Sequence, residues 1–258
     1  MKSTSILARV LHEFFLHYLR GQRACSPHTL QSYRDSIKTL LQFVAGKRRD
    51  PSHLDVEDLT VERITAFLQH LENARRNTVS TRNVRLGAIH SFFRFLGSQQ
   101  PQHLAQTQRV LSIPFKRGTT REIQHLEFAE IQAVLAGIGR ATVDARRDLV
   151  LLTLLFNTGA RVSEIVGLYA RDFRLSAPAH VLLRGKGRRE RTCPLWADTA
   201  RLIRDHLAEQ DIGPQDARSV FLNHRGQPLS RFGVRLILRK HIRHAADRVP
   251  SLGHKRLH

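Results

Sequence analysis

Acidic residues are scarce in this chain. Its 258 residues hold 22 Asp and Glu against 42 Lys and Arg, a formal charge of +20. So strong an imbalance calls for a polyanionic partner, with nucleic acid the first candidate and a membrane surface the other. Long apolar runs are missing as well. The longest, Leu149 to Phe156, is 8 residues and includes Thr153, against the roughly 20 that span a bilayer. Lys2 near the start is followed by no apolar run of signal-peptide length. Cysteine is almost absent: Cys25 and Cys193 stand far apart with no CxxC. That excludes a disulfide framework and a zinc module and suits a reducing cytoplasm. No repeat or low-complexity tract interrupts the chain. What is present is a 41% apolar composition, enough for packed cores, over a length that suits two domains.

The first hundred residues read as four helices. One covers about Ser5 to Arg20. A second starts at Ser26-Pro27, a cap residue followed by proline at the first helical position. Leu30, Tyr33, Ile37, Leu40, Leu41 and Val44 give it one apolar face. Thr60 caps a third, carrying Ile64, Phe67, Leu68 and Leu71. The fourth carries Val84, Ile89, Phe92, Phe93 and Leu96 and stops at Gly97. Arg75, Arg76, Arg82 and Arg85 gather near it as a candidate DNA-binding group. Periodicity then fades, so the expected division is a helical domain over 1–98, a linker over 99–121 and a second domain over 122–258. A long loop inside one domain is the alternative for 99–121. The second half mixes helices, near 127–137, 144–157, 197–209 and 230–244, with strands at 180–184 and 191–195. The strands flank Gly185-Lys186-Gly187 as a hairpin.

Three clusters could carry chemistry. In the run Thr158-Gly159-Ala160-Arg161-Val162-Ser163-Glu164-Ile165, an apolar helix meets a glycine break and an arginine opens the next helix. Free N–H groups at a helix start favour an anion, and Arg161 adds a bidentate fork for two phosphate oxygens. Read blandly, Arg161 is a surface residue paired with Glu164 one turn on. The second cluster is Arg184, Lys186, Arg188, Arg189 and Arg191 on the hairpin, read either as a basic ribbon for a DNA groove or as a solvated turn. The third is Arg231, Arg235, Arg239 and Arg243, spaced by four along one helix face. Like charges at that spacing repel, and a phosphate backbone would relieve the repulsion. A merely solvated helix is the alternative.

Taken in order, these clusters resemble the phage-integrase-type tyrosine recombinases. The run around Arg161 is similar to that family's first catalytic box. Gly185-Lys186-Gly187 through Arg191-Thr192-Cys193-Pro194-Leu195 is similar to its catalytic-lysine hairpin. The resemblance implies a mainly α fold: a four-helix SAM-like core-binding domain, then an α+β catalytic domain with a small hairpin sheet. It implies a C-shaped clamp on double-stranded DNA at a recombination site and tetramers of recombinase subunits. The implied setting is the bacterial nucleoid, in the cytoplasm and away from membranes. The reaction is cleavage through a 3′-phosphotyrosyl link with no metal or other cofactor. On that pattern Arg161 holds the non-bridging phosphate oxygens, Lys186 protonates the leaving 5′ oxygen, and Glu164 supports the site.

The resemblance also calls for a His-x-x-Arg box, a later His or Trp, and a tyrosine nucleophile after them. Of the 15 histidines only His17 has an arginine three residues on, and Tyr18, Tyr33 and Tyr169 all precede Lys186. The expectation is therefore a recombinase chain truncated before that box, from a mobile-element gene, inactive by itself because it has no nucleophile. The competing expectations are a non-catalytic DNA-binding protein that occupies recombination sites, and an unrelated nucleic-acid-binding or ribosome-associated protein.

Overall fold

A computed structural model describes residues 5–47, 50–118, 124–185, 187 and 189–255. The chain divides into two compact units, Met1–Arg121 and Glu122–His258.

The first unit is helical. Helix α1 (Ile6–Glu13) starts where the Ser5 hydroxyl accepts from the Ala8 N–H, and it continues as π-helix over Phe14–Gln22. Helix α2 (Pro27–Ala45) begins at the expected cap, with Ser26 accepting from the Thr29 N–H. Helices α3 (Val61–Asn73) and α4 (Val79–Gln99) are capped by Thr60 and Thr78. Helix α4 is the centre of the unit. Leu86, Ile89, Phe92, Phe93 and Leu96 are buried there, and the ring of Phe14 meets Phe92 edge-on at 5.5 Å.

The structure departs from the expectations at three places here. Val84, assigned to the core face of α4, is 54% exposed. Helix α4 does not stop at Gly97 but runs through it. A Cβ on Gly97 would lie 3.0 Å from Thr107 Cγ2, so this glycine serves a close helix contact instead of a stop. The third departure is the expected linker, where a fifth helix, α5 (Leu104–Leu111), packs on α4. Its Val110 and the following Ile113 are buried in the same core.

The second unit holds α6 (Phe128–Ala136), α7 (Val143–Thr158) and the single-turn α8 (Val162–Ile165). Strands β1 (Phe173–Arg174), β2 (His180–Arg184) and β3 (Glu190–Pro194) follow, then α9 (Ala197–Glu209) and α10 (Arg231–Ala246). The strands form an antiparallel sheet in the order β1-β2-β3, with Leu183 opposite Arg191. The β2–β3 hairpin is the expected one. The two-residue β1 is an addition, too short to show any period. The apolar run of the sequence is the buried side of α7, where Leu149 to Leu152 and Leu154 pack with Ile165, Val181, Leu183, Ile203 and Phe221. The fold is thus mainly α with one small antiparallel sheet. Among the described residues no helix is long and apolar enough to cross a membrane.

Candidate functional site

Helix α7 ends at Gly159 in the left-handed region, φ +58°, a conformation that glycine adopts without steric cost. The chain turns there and delivers Arg161 to the cap position of α8. The Glu164 carboxylate turns back and accepts from the Arg161 backbone N–H at 2.9 Å and from Arg161 Nη1 at 3.1 Å. Arg191, reaching over from β3, donates to both oxygens of the same carboxylate, Nη1 at 3.0 Å and Nη2 at 2.8 Å. Glu164 is buried while the Arg161 side chain is 68% exposed. The Arg191 hydrogen bonds, followed by those from Arg161, outweigh burial and hold the Glu164 carboxyl down at about 2. Glu164 is therefore an anion at neutral pH, and the rest of the Arg161 guanidinium faces out.

The hairpin closes onto this pair. The Gly185 N–H donates to the Arg189 carbonyl at 2.8 Å. A Cβ at Gly185 would stand 2.8 Å from Glu164 Oε1 and 3.8 Å from Arg161 Nη1. Only glycine lets the strand end approach so closely. Arg161, Glu164 and the base of the hairpin thus come together. Lys186 and Arg188 lie outside the described residues.

Sequence reasoning missed Arg191 as a site residue. It counted Arg191 only as one more hairpin charge, and its partner lies 27 positions earlier in the chain. The available signal was strand parity, since Arg191 faces Leu183 across the ladder.

The remaining candidates sort unevenly. Arg231, Arg235, Arg239 and Arg243 are all exposed on α10 and make no ion pair among the described residues. They line a groove of about 620 Å³ together with Val162, Leu155, Leu238 and Ile242. This groove therefore reaches the turn that follows Arg161. Arg75, Arg76 and Arg189 are exposed. Arg82 is a correction: it is 5% exposed, and its Nη1 donates to the Pro114 carbonyl at 2.9 Å. It ties α4 to the segment after α5 and offers no free surface. Arg85 is half-buried and donates to Thr39 Oγ1. Arg184 is committed to Asp172 at 2.5 Å and Glu190 at 3.0 Å, so it stitches the sheet instead of standing free.

The inner face of α10 is anchored by one carboxylate. Asp148 on α7 is 1% exposed and accepts from His241 Nε2 at 2.9 Å and from Arg147 Nη2 at 2.6 Å. Burial opposes its charge, but the His241 and Arg147 bonds outweigh it and lower the carboxyl. Among the described residues no group of His, Cys, Asp and Glu could hold a metal ion.

The sequence model of the phage integrase family matches residues 124–257, and that of the phage integrase N-terminal SAM-like domain matches residues 13–100. The chain belongs to the phage integrase family. A Sinorhizobium fredii protein named as integrase/recombinase y4rC is 42% identical over 258 residues, covering 100% of this chain and 77% of the relative. Tyrosine recombinase XerD of Halalkalibacterium halodurans is 31% identical over 230 residues, 88% of this chain and 74% of XerD. Among solved structures, XerH site-specific recombinase bound to palindromic difH substrate matches with a TM-score of 0.66 at 17% identity, over 95% of this chain and 74% of that one. A lambda integrase tetramer bound to a Holliday junction matches with a TM-score of 0.61 at 16% identity, over 91% and 65% of the two chains. At those identities the likeness establishes the tyrosine recombinase fold of this phage integrase family member.

Proposed function

We propose that this protein binds double-stranded DNA at a recombination site through the phosphate-gripping half of a tyrosine recombinase centre. The observation that carries this reading is Arg161, poised at a helix start, steadied by a buried carboxylate, with most of its guanidinium facing solvent. Such a group forms two charge-assisted bonds to a phosphodiester and stabilises charge that builds on its oxygens. Lys186, between the two glycines, is the proton donor for the leaving 5′ oxygen in this reading. Glu164 keeps Arg161 in place. Arg231, Arg235, Arg239 and Arg243 on α10, with Arg75, Arg76 and Arg189, bind the flanking phosphates. The expected setting is the nucleoid, with other recombinase subunits as partners, and the parent element a mobile one.

In this reading none of the three tyrosines within residues 1–258 acts as a nucleophile, so a polypeptide of these residues alone binds DNA without cutting it. None of its three tyrosines follows Lys186. Tyr18 and Tyr33 stack on Phe14 within the first unit. Tyr169 is half-buried beneath the Arg171 guanidinium, 4.7 Å from its ring centre. Binding to a labelled duplex should weaken with salt, the logarithmic slope shrinking by about 0.9 for each phosphate contact removed. Incubation with a nicked substrate that traps covalent intermediates should give no SDS-resistant protein–DNA adduct. An adduct on the chain alone overturns the non-cleaving reading, and salt-independent binding overturns the DNA-binding one.

A further inference from the structure

Arg191 has no role in the reading above, yet it makes half of the hydrogen bonds to the Glu164 side chain, both from its guanidinium. Glu164 Oε1 accepts from Arg191 Nη1 and Arg161 Nη1, and Oε2 accepts from Arg191 Nη2 and the Arg161 backbone N–H. The two-point fork belongs to Arg191. Arg161 gives the carboxylate one guanidinium nitrogen, and among the described residues its Nε and Nη2 take no partner.

We infer that Arg191 is a positioning residue that acts on Arg161 through Glu164. Two guanidinium groups against one carboxylate leave this cluster a net +1, which Arg161 presents at the surface. Without Arg191 the count is zero. A buried carboxylate left with a single cation draws that cation into a two-point pair. Arg161 would then lie against Glu164, with its phosphate-binding edge occupied. Arg191 satisfies Glu164 from the strand side, so Arg161 is held without being neutralised. The inference rests on the reading that Arg161 grips a DNA phosphate.

Two other roles for Arg191 must be separated from this one. Its side chain is 42% exposed, so it could touch DNA itself. It also joins β3 to α8, so it could be a structural staple only. A double-mutant cycle distinguishes all three. Affinity for a fluorescein-labelled duplex is measured by anisotropy across a salt series for wild type, R161Q, R191Q, E164Q and E164Q/R191Q, each checked by thermal melting. R161Q should weaken binding roughly tenfold, the loss of one charge-assisted contact. R191Q should weaken it by a similar factor and lower the salt slope by about 0.9. In the E164Q background, adding R191Q should change affinity by less than about twofold, because no carboxylate is left to capture Arg161. A roughly tenfold loss that persists in that background means that Arg191 contacts DNA and overturns the inference. A loss that merely follows the melting temperature, with no change in slope, overturns it in favour of the staple. R191K keeps the charge count and should bind within about twofold of wild type; a roughly tenfold loss in R191K at an unchanged melting temperature overturns the inference even if R191Q fails to fold. If R161Q binds as wild type does, the phosphate-gripping reading itself fails. If R161Q weakens binding and R191Q does not, only the role of Arg191 fails.

Discussion

A methyl group at Gly185 should damage the site more than its size suggests. An ideal Cβ there lies 2.8 Å from Glu164 Oε1, and ordinary contact begins at 3.4 Å, so something must move by 3.4 − 2.8 = 0.6 Å. Glu164 cannot give way cheaply. Drawing it back by that distance stretches the 3.0 Å bond to Arg191 Nη1 beyond hydrogen-bonding range. Moving the Gly185 end of the hairpin away instead strains the 2.8 Å bond from its N–H to the Arg189 carbonyl, to as much as 2.8 + 0.6 = 3.4 Å, near the limit of hydrogen-bonding range. Either route costs about one hydrogen bond, charged in the first case, or about 1–3 kcal/mol. For a unit of this size the melting temperature should fall by about 3–12 °C. Calorimetry of Gly185→Ala in the wild-type background and again in Glu164→Ala checks the cause. With the carboxylate gone the obstacle is gone, and the second methyl should cost nearly nothing. An equal loss in both backgrounds, or no loss in either, refutes the claim that the hairpin end rests on Glu164.

Three further outcomes follow from the same geometry. Asp148→Ala leaves half-buried Arg147 and buried His241 without their shared partner and should destabilise the second unit by about 3–5 kcal/mol in urea unfolding, with Asp148→Asn costing less. Glu130, bonded to Lys255 and Ser251, is held down at about 2, as Glu164 is, against an ordinary 4.5. The folded-state pKa is depressed for both, so their stabilisation is present above 4.5 and is lost as pH falls toward 2. Melting temperature should therefore hold steady down to about pH 4.5 and drop between there and about pH 2, less steeply in Glu164→Gln. Arg82→Met should cost about 1–3 kcal/mol of stability and leave the salt slope of DNA binding unchanged, whereas Arg239→Gln should do the reverse and lower the slope by about 0.9.

What could be read from the sequence was what neighbouring residues decide among themselves. Ser26 and Pro27 start α2 because a hydroxyl and a fixed φ act within one turn. Gly159, Arg161 and Glu164 assemble within six residues, and the two glycines around Lys186 mark the turn of the hairpin. The failures share one cause, a partner far away in the chain. Gly97 stands where a helix could stop, yet Thr107 on the next helix uses the space that glycine leaves. Residues 104–111 carry too short a period to be read as a helix, but Val110 completes a core laid down by α1 to α4. Arg82 and Arg239 are the same side chain, three residues from another arginine in one case and four in the other. One reaches a carbonyl 32 positions on, and the other faces solvent. Arg191 is the instructive case. Its charge suggested a DNA contact, and only the strand register turns it inward onto Glu164. Basic residues in this chain thus stand in two settings, facing solvent where a polyanion would reach them and securing the carboxylates that hold other basic residues in place. Composition counts both alike, and burial of the acidic partner tells them apart.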